Sequence, residues 1–427
     1  MAYLCEETLK AFKNFDIGYK RTELPLIYAI VTVKKSAALT YAGLGIDKML
    51  FEAVTAACDE ILSGTHDDEF ITDALQGGAG TSANMNVNEV IAGIAGRYLA
   101  GKTDIPVRPI DDVNRGQSTN DVYPTALRIA CIKMIRDLSN ECALLQEALQ
   151  KKEQEFASVH KLGRTELMDA LPITLGEEFG AYSQAIARDR WRIYKAEERM
   201  RQVNIGGTAV GNYVNADKKY RFRMIENLRK LTGIGLCEAE YPMDLTQNND
   251  VFVETSGLLK ALSVNLMKIA GDLRLMASGP KGGLGEIRLE KMQKGSSIMP
   301  GKVNPVIPEM VMQCAMKVQA DDYAITLAAS HGEFELNAFE PVIADSMLES
   351  LKLLISATRI FREKCIETLL PQTERCERIL RDSYAFATEY VPKLGYDYVA
   401  ALVEKELTPG ELEKCLKDAL ENIQAKD

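Results

Sequence analysis

A short polar segment, GSSIMPGKVNP (Gly295 to Pro305), carries two adjacent serines, a lysine and an asparagine between glycines and prolines. A serine hydroxyl is too weak an acid to serve as a base near neutral pH unless backbone donors or a cation stabilise its alkoxide in a dry site. Lys302 can supply the cation, and Gly295 and Gly301 give the loop freedom to close over a ligand. We therefore interpret the segment as a candidate catalytic loop rather than a mobile surface loop.

Three further polar stretches interrupt the helical pattern: QGGAGTSANMN (Gln76 to Asn86), NRGQSTNDVYP (Asn114 to Pro124) and GRTELMDALP (Gly163 to Pro172). Each lies at or near the end of a predicted long helix. They supply Ser, Thr and Asn side chains, neutral donors that bind carboxylates without making a site strongly charged. Together with the serine loop they predict a site for a small carboxylate ligand.

Simpler interpretations of these stretches remain open. The GGAG run (Gly77 to Gly80) matches neither common nucleotide-loop pattern and follows no convincing strand, which favours a tight turn whose N–H groups approach a small anion. Ser118, Thr119 or Asn120 can cap the helix predicted to begin near Pro124, and capping is compatible with anion binding because both use the free N–H groups of a helix start.

Composition narrows the class of protein. The 427 residues carry a net charge of −10 and a pI near 5.2, which argues against nucleic acid or an anionic membrane as the partner. The N-terminal MAYLCEET lacks the features of a secretory signal, so we predict a cytoplasmic protein. Nine cysteines without a C-x-x-C pair favour reduced thiols over a metal site or disulfides.

Helical periodicity dominates the chain and predicts a mostly α fold. Five stretches with few helix breakers carry it: about Pro124 to Phe156, Leu175 to Val203, Val251 to Ser278, Pro308 to Ser330 and Pro341 to Leu369. The first would be roughly 50 Å long at 1.5 Å per residue. Helices of this length predict an elongated bundle whose apolar faces also pack between subunits.

The predicted bundle occupies the middle of the chain. We predict an N-terminal domain over residues 1–117, a central long-helix bundle domain over residues 118–374 and a small helical domain over residues 375–427. In the last of these, LTPGELEKCL predicts a helix start, with Thr408 as the cap, Pro409 at the first helical position and Glu411 completing a capping box.

The four polar motifs, in this order and spacing, resemble the signatures of the aspartase/fumarase superfamily, and the resemblance runs from about Thr8 to Glu374. It implies a homotetramer with a central helix bundle, active sites assembled from several subunits, and no metal or organic cofactor. ELNAFEPVI and GPKGGLGEI resemble the aspartate ammonia-lyase branch most. The implied reaction is a reversible carbon–nitrogen elimination that converts L-aspartate, or a related amino-dicarboxylate, to fumarate and ammonia.

The resemblance also implies roles for individual residues. Ser296 would remove a proton from the carbon beside one carboxylate of the substrate, helped by Lys302. The groups implied to hold the resulting aci-carboxylate are Thr81, Ser118, Thr119 and Ser297. Those implied to bind the other carboxylate are Lys302, Asn304 and Thr165. Asn120 would face the leaving group. Several hydroxyl and amide donors suit this step, because proton loss places a second negative charge on the carboxylate.

Glu166 departs from the family pattern, in which fumarases usually have His and aspartases Gln or His. Its carboxylate would repel a dicarboxylate unless it faces a cationic amine, so we predict a catalytic or selective role for Glu166; the alternative is a solvated charge beside Arg164. The arm before the first motif and the C-terminal tail are shorter than is usual in the family. A class II fumarate hydratase and a non-catalytic structural or binding oligomer are the alternative functions.

Overall fold

The protein is described by a computed structural model that covers Tyr3, residues 5–104 and residues 106–424. Met1, Ala2 and Leu4, part of the stretch behind the cytoplasmic prediction, lie outside the described residues, as do residues 425–427 of the predicted C-terminal domain. The chain divides into two compact units: unit 1 is residues 1–140, 189–264 and 314–356, and unit 2 is residues 141–188, 265–313 and 357–427. The division into three domains stays a prediction.

The predicted mostly α fold is confirmed. The helices that the described residues form are α1 (Glu6–Asn14), α2 (Leu24–Gly43), α3 (Lys48–Leu62), α4 (Thr81–Leu99), α5 (Thr119–Glu155), α6 (Leu175–Arg199), α7 (Lys218–Thr232), α8 (Pro242–Gln247), α9 (Asp250–Met276), α10 (Val306–Ala329), α11 (Glu340–Phe361), α12 (Thr373–Arg381), α13 (Val391–Leu394), α14 (Tyr396–Val403) and α15 (Pro409–Gln424). Over the described ranges, no helix combines the length and apolarity needed to cross a membrane.

Strands are few and short. They pair as β1 (His160–Thr165) with β2 (Met168–Thr174) and β5 (Ile287–Arg288) with β6 (Leu370–Pro371), both antiparallel, and β3 (Gln202–Val203) with β4 (Cys237–Glu238), parallel. The β1–β2 hairpin belongs to unit 2. It contains the GRTEL stretch, so this part of the chain is a hairpin rather than a simple helix connection.

The five predicted long helices form as α5, α6, α9, α10 and α11. Helix α5 begins earlier than predicted, because Ser118 caps it: the Asn120 N–H donates to Ser118 Oγ at 3.2 Å. Pro124 lies inside the helix and lacks the N–H that would bond the Asn120 carbonyl. The side-chain amide of Asn204 donates to that carbonyl at 3.0 Å instead. A partner distant in sequence therefore compensates for the proline.

Helix α2 lies at the centre of unit 1, where it packs against α3, α4 and α7. It is buried almost all round, so its apolar residues show no single stripe. Tyr41, near its C-terminal end, stacks on Phe51 and Tyr220 with ring centroids 4.9 and 4.8 Å apart. Burial of an aromatic or aliphatic side chain of this size contributes about 1.5–3 kcal/mol, so the packing of α2 on these helices stabilises the unit.

The C-terminal helices of unit 2 form a small core of their own, built from Ala387, Val399, Leu402, Leu412 and Leu416. The predicted capping box is confirmed at the start of α15. The Thr408 N–H donates to the Glu411 carboxylate at 2.9 Å, and the Glu411 N–H donates back to Thr408 Oγ1 at 3.4 Å.

The β1–β2 hairpin of unit 2 has an unusual backbone at both its bulge and its tip. The strand register shifts between Leu162 and Arg164. A Cβ atom at the intervening Gly163 would lie 2.8 Å from the Leu171 carbonyl oxygen, which is too close. The tip turns through Glu166 and Leu167, whose φ angles are 54° and 66°. Such left-handed conformations suit glycine or asparagine, so two larger residues here hold the turn at a conformational cost.

Replacing Leu167 by glycine should relieve this cost and raise the free energy of unfolding by about 1 kcal/mol, because glycine adopts a positive φ without penalty. Chemical denaturation monitored by circular dichroism measures the change. Met168→Gly is the matched control, since Met168 is similarly exposed but lies in β2. We expect that control to lower stability, and a loss of stability in both variants would show that the turn stores no strain.

Candidate active site

Unit 1 contains a polar cavity of about 610 Å³. Three of the predicted binding residues, Thr81, Ser118 and Thr119, line it. The other polar side chains of its wall are those of Asn84, Asn114, Gln117, Thr208, Asn212 and Asn215. These hydroxyl and amide groups supply hydrogen bonds without fixed charge, which suits a small anion.

Two helices begin at this cavity: α4 at Thr81 and α5 at Thr119. A helix start carries a partial positive charge, so both starts favour a bound anion. The turn before α4 has positive φ angles at Gly78, Ala79 and Gly80, and a side chain at Gly80 would overlap the ring of Tyr123. Glycine is thus required where the backbone passes against this buried aromatic ring.

The cavity wall is organised by asparagine side chains. The Asn84 amide donates to Thr119 Oγ1 at 3.1 Å and to Asn114 Oδ1 at 3.2 Å. Because the Thr119 hydroxyl accepts this bond, its own hydrogen is left to donate to a ligand. Thr81 is oriented differently, since its hydroxyl donates to the Gly78 carbonyl at 2.6 Å.

Asn120, the fourth predicted binding residue of unit 1, is not among the described residues that line this cavity. Its side-chain amide donates to the Ala209 carbonyl at 2.9 Å, and Ala209 does line the cavity. Asn120 therefore supports the cavity wall in this structure, and its contact with a leaving group stays a prediction.

Asp121 and Lys34 are buried charged residues beside the cavity, and the sequence analysis did not select them. The Asp121 carboxylate accepts hydrogen bonds from the N–H groups of Ser118, Gly206 and Thr208 at 2.9–3.0 Å. Burial raises the pKa of Asp121 to about 6, although these bonds oppose the shift. Burial lowers the pKa of Lys34 to about 7, against the attraction of Asp121. The sequence signal for Asp121 is its place in the NRGQSTNDVYP stretch, three residues after Ser118.

In unit 2, the serine loop is closed at its base by Asn304, whose side-chain amide donates to the Gly295 carbonyl at 3.0 Å. Within the loop, Ser296 Oγ accepts two backbone hydrogen bonds, from Ile298 N–H at 3.1 Å and Met299 N–H at 3.0 Å. These donors point at the atom that would carry negative charge if the serine lost its proton. Ser297 is exposed.

The same unit has a second cavity, of about 660 Å³, and Lys302 and Asn304 line it. Its wall also includes Arg288 and Lys291, so three cationic side chains border one space. Ser296 and Ser297 are not among the described residues of this wall. The structure thus brings Lys302 and Asn304 together, while the two serines lie elsewhere on the same loop.

Thr165 and Glu166 lie at the exposed tip of the β1–β2 hairpin. The Arg164 guanidinium donates to the Glu286 carboxylate at 2.7 Å. The ion-pair partner of Arg164 is therefore the buried Glu286 carboxylate. Glu166 is exposed on the tip, as expected if it is a solvated charge.

Glu286 is the centre of a buried charge cluster at the base of this hairpin, and its place in the GPKGGLGEI stretch does not indicate this role. The carboxylate is fully buried and also pairs with Lys161, with 2.8 Å between Nζ and Oε2. Lys161 Nζ donates in addition to Glu178 at 2.7 Å. Burial raises the pKa of Glu178, opposed by Lys161. The cluster fixes the strand that leads to Thr165 and Glu166.

A family profile described as "Lyase" matches residues 2–320. The chain is 42% identical to an aspartate ammonia-lyase of Bacillus sp, over 97% of this chain and 90% of that protein. It is 41% identical to a class II fumarate hydratase of Corynebacterium efficiens, over 95% of this chain and 85% of that protein. The crystal structure of a fumarate lyase:delta crystallin from Brucella melitensis matches with a TM-score of 0.91 and 40% identity, over 99% and 96% of the two chains.

Replacing Glu286 by glutamine should lower the free energy of unfolding by about 3 kcal/mol or more, because it removes the charge that compensates buried Lys161 and partly buried Arg164. Urea denaturation measures the loss. Glu377→Gln, an exposed change on α12 of the same unit, should alter stability by less than about 0.5 kcal/mol. Equal, small effects in the two variants would refute a structural role for the cluster.

Proposed function

Because the chain belongs to the aspartase/fumarase superfamily of lyases, we propose that it reversibly eliminates ammonia from L-aspartate, or a closely related amino-dicarboxylate, to give fumarate. It is an enzyme, which disfavours the non-catalytic oligomer considered from the sequence. Ser296 is the proposed base. The remaining predicted residues bind the two carboxylates and the leaving group.

The environment of the Ser296 hydroxyl carries this proposal. Two backbone N–H groups of the loop donate to Oγ, at 3.0 and 3.1 Å. A preorganised donor contributes on the order of 3 kcal/mol to an oxyanion in a catalytic site. Because both donors belong to the loop itself, the alkoxide is stabilised without rearrangement. Lys302 on the same loop adds a positive charge when the loop closes over a substrate.

The proposed reaction proceeds in two steps. The Ser296 alkoxide takes a proton from the carbon beside one carboxylate, and the electron pair of that C–H bond moves into the carboxylate as an aci-carboxylate. As this charge returns, the carbon–carbon double bond forms and the C–N bond breaks. Ammonia leaves with the electron pair of the C–N bond, and the products are fumarate and ammonia, with the abstracted proton on the serine.

We assign the aci-carboxylate to Thr81, Ser118, Thr119 and Ser297, and the other carboxylate to Thr165, Lys302 and Asn304. In unit 1 this assignment is supported by a cavity in which two helices begin and in which the Thr119 hydroxyl has a hydrogen to donate. In unit 2 it is supported by the cavity that Lys302 and Asn304 share. Asn120 is assigned to the leaving group.

We further propose a homotetramer in which residues of several subunits complete each site. Helix α10 supports this, because Met316, Tyr323 and Leu327 lie on one face and remain 55%, 66% and 44% exposed.

Aspartate is preferred over malate in this proposal because of Glu166. A carboxylate beside the leaving group attracts an ammonium and gives a neutral hydroxyl no such benefit. A class II fumarate hydratase is the second candidate, favoured by the fumarate hydratase relative, which is nearly as similar to this chain as the ammonia-lyase. Fumarate absorbance recorded with aspartate and with malate near neutral pH separates the two functions.

Ser296→Ala should lower kcat for aspartate at least about 100-fold, the usual contribution of a general base, and leave the fold intact. Ser158→Ala removes a hydroxyl from an exposed turn of the same unit and serves as the control. Circular dichroism and light scattering check folding and the tetramer. If Ser296→Ala keeps more than about a tenth of kcat, another group takes the proton.

Glu166→Gln should reduce the ratio of kcat/KM for aspartate to that for malate about tenfold, because it removes the negative charge and keeps the shape. Asp169→Asn is the matched control, since it neutralises another exposed carboxylate on the same hairpin, and the ratio should not change. A wild-type enzyme that prefers malate, or an unchanged ratio in Glu166→Gln, contradicts the assigned role and favours a solvated charge.

A further inference from the structure

Lys34 is a buried lysine that reaches the polar cavity of unit 1 from behind its wall. It lies in the middle of α2 with 1% of its surface exposed, and the described residues of the cavity wall do not include it. Its ammonium donates to Asn114 Oδ1 at 2.7 Å and to Gln117 Oε1 at 3.1 Å. Both acceptors line the cavity. Lys34 therefore contacts the wall but not the space where a ligand would bind.

A protonated lysine determines which way these amides point. An ammonium has three hydrogens and no acceptor, so only the oxygen of an asparagine or glutamine side chain can face it. The Asn114 oxygen also accepts from the amides of Asn84 at 3.2 Å and Asn88 at 3.3 Å, and its own NH₂ group donates to the Gln117 carbonyl at 3.2 Å. Without the ammonium, a rotation of the Asn114 amide would exchange its donor and acceptor.

The orientation of the Asn114 amide also determines which groups donate hydrogen bonds at the cavity surface. Because the Asn114 oxygen is an acceptor, the Asn84 NH₂ group turns toward it, and the same NH₂ group donates to Thr119 Oγ1 at 3.1 Å. The Thr119 hydroxyl accepts and keeps its own hydrogen for a ligand. A carboxylate can only accept hydrogen bonds, so a Thr119 hydroxyl that donates is the useful orientation.

We propose that Lys34 is a positioning residue: it fixes the hydrogen-bond direction along Asn114, Asn84 and Thr119, so that the cavity presents donors to the carboxylate of the substrate. The inference rests on the proposed function for the identity of that substrate. Burial of an ammonium is costly, and the hydrogen-bond partners that Lys34 has here are the neutral side-chain oxygens of Asn114 and Gln117 and not a carboxylate. The benefit is a cavity wall whose amides keep one orientation.

The test compares Lys34→Met with Lys35→Met. The two lysines are adjacent on α2, but Lys35 pairs with Asp59 on α3. In the described structure it contacts none of Asn114, Asn84 and Thr119, which we call the relay. Binding of succinate, an unreactive dicarboxylate, is measured by calorimetry at pH 6, below the pKa of Lys34. We expect Lys34→Met to weaken succinate binding at least about tenfold, because the Thr119 hydroxyl would no longer be held as a donor to the charged carboxylate. Lys35→Met should weaken it less than about twofold.

A double-mutant cycle with Asn114→Ala separates positioning from a general loss of stability. If Lys34 acts through Asn114, the double variant binds succinate no more weakly than the weaker-binding single variant. Additive losses, or a loss in Lys35→Met equal to that in Lys34→Met, overturn the inference. If Lys34→Met does not fold, Asn114→Ala tests the relay from its acceptor end, and unchanged succinate binding there overturns it.

Failure of the proposed function gives a different result. In that case the wild type turns over neither aspartate nor malate, whatever the lysine variants do. If the wild type also fails to bind succinate, crystal structures of the wild type and Lys34→Met test the relay directly. Displacement of the Asn114 and Asn84 amides from their contacts supports the inference, and unchanged distances along Asn114, Asn84 and Thr119 overturn it.

Discussion

The Asp121 carboxylate holds the polar cavity of unit 1 together. It accepts one hydrogen bond from the start of α5, at Ser118, and two from the segment that follows β3, at Gly206 and Thr208. An isolated buried carboxylate is costly, but hydrogen bonds to a charged group contribute about 1.5–3 kcal/mol each and offset much of that cost. Since both segments supply lining residues, this side chain joins two parts of the cavity wall, and the contacts of Asn120 with Ala209 and Asn204 reinforce the join.

Buried cations play a related part in the two units. Lys34 is surrounded by neutral acceptors in unit 1, whereas Lys161 in unit 2 pairs with the carboxylates of Glu178 and Glu286. Glu286 also binds Arg164, next to Thr165. In each unit the hydrogen bonds of a buried cation fix the backbone or side chains behind residues predicted to bind substrate. Low dielectric makes such contacts strong and makes the loss of one partner costly.

Much of the fold was predictable, because the long helices carry their own periodicity and the capping box of α15 is local. What the sequence did not reveal depends on distant partners. The sequence predicts a start of α5 near Pro124, because no nearby residue indicates that the Asn204 side chain bonds the Asn120 carbonyl, which the proline leaves free. The sequence does not predict the GRTEL hairpin, because its bulge and tip lack the Asn-Gly signal of a hairpin. The carboxylate that pairs with its Arg164, that of Glu286, is also 122 residues away in the sequence.

The candidate site shows the same division. The motifs contain Thr81, Ser118 and Thr119, which share a cavity, and Asn84 and Asn114, whose roles need the hydrogen-bond network to be seen. The two donors at Ser296 have another implication, for which substitutions this loop tolerates. They are main-chain groups of Ile298 and Met299, and the Ile298 side chain is 86% exposed. Almost any residue except proline at these two positions would preserve both donors, so the hydrogen bonds at Ser296 Oγ tolerate substitution of the Ile298 and Met299 side chains.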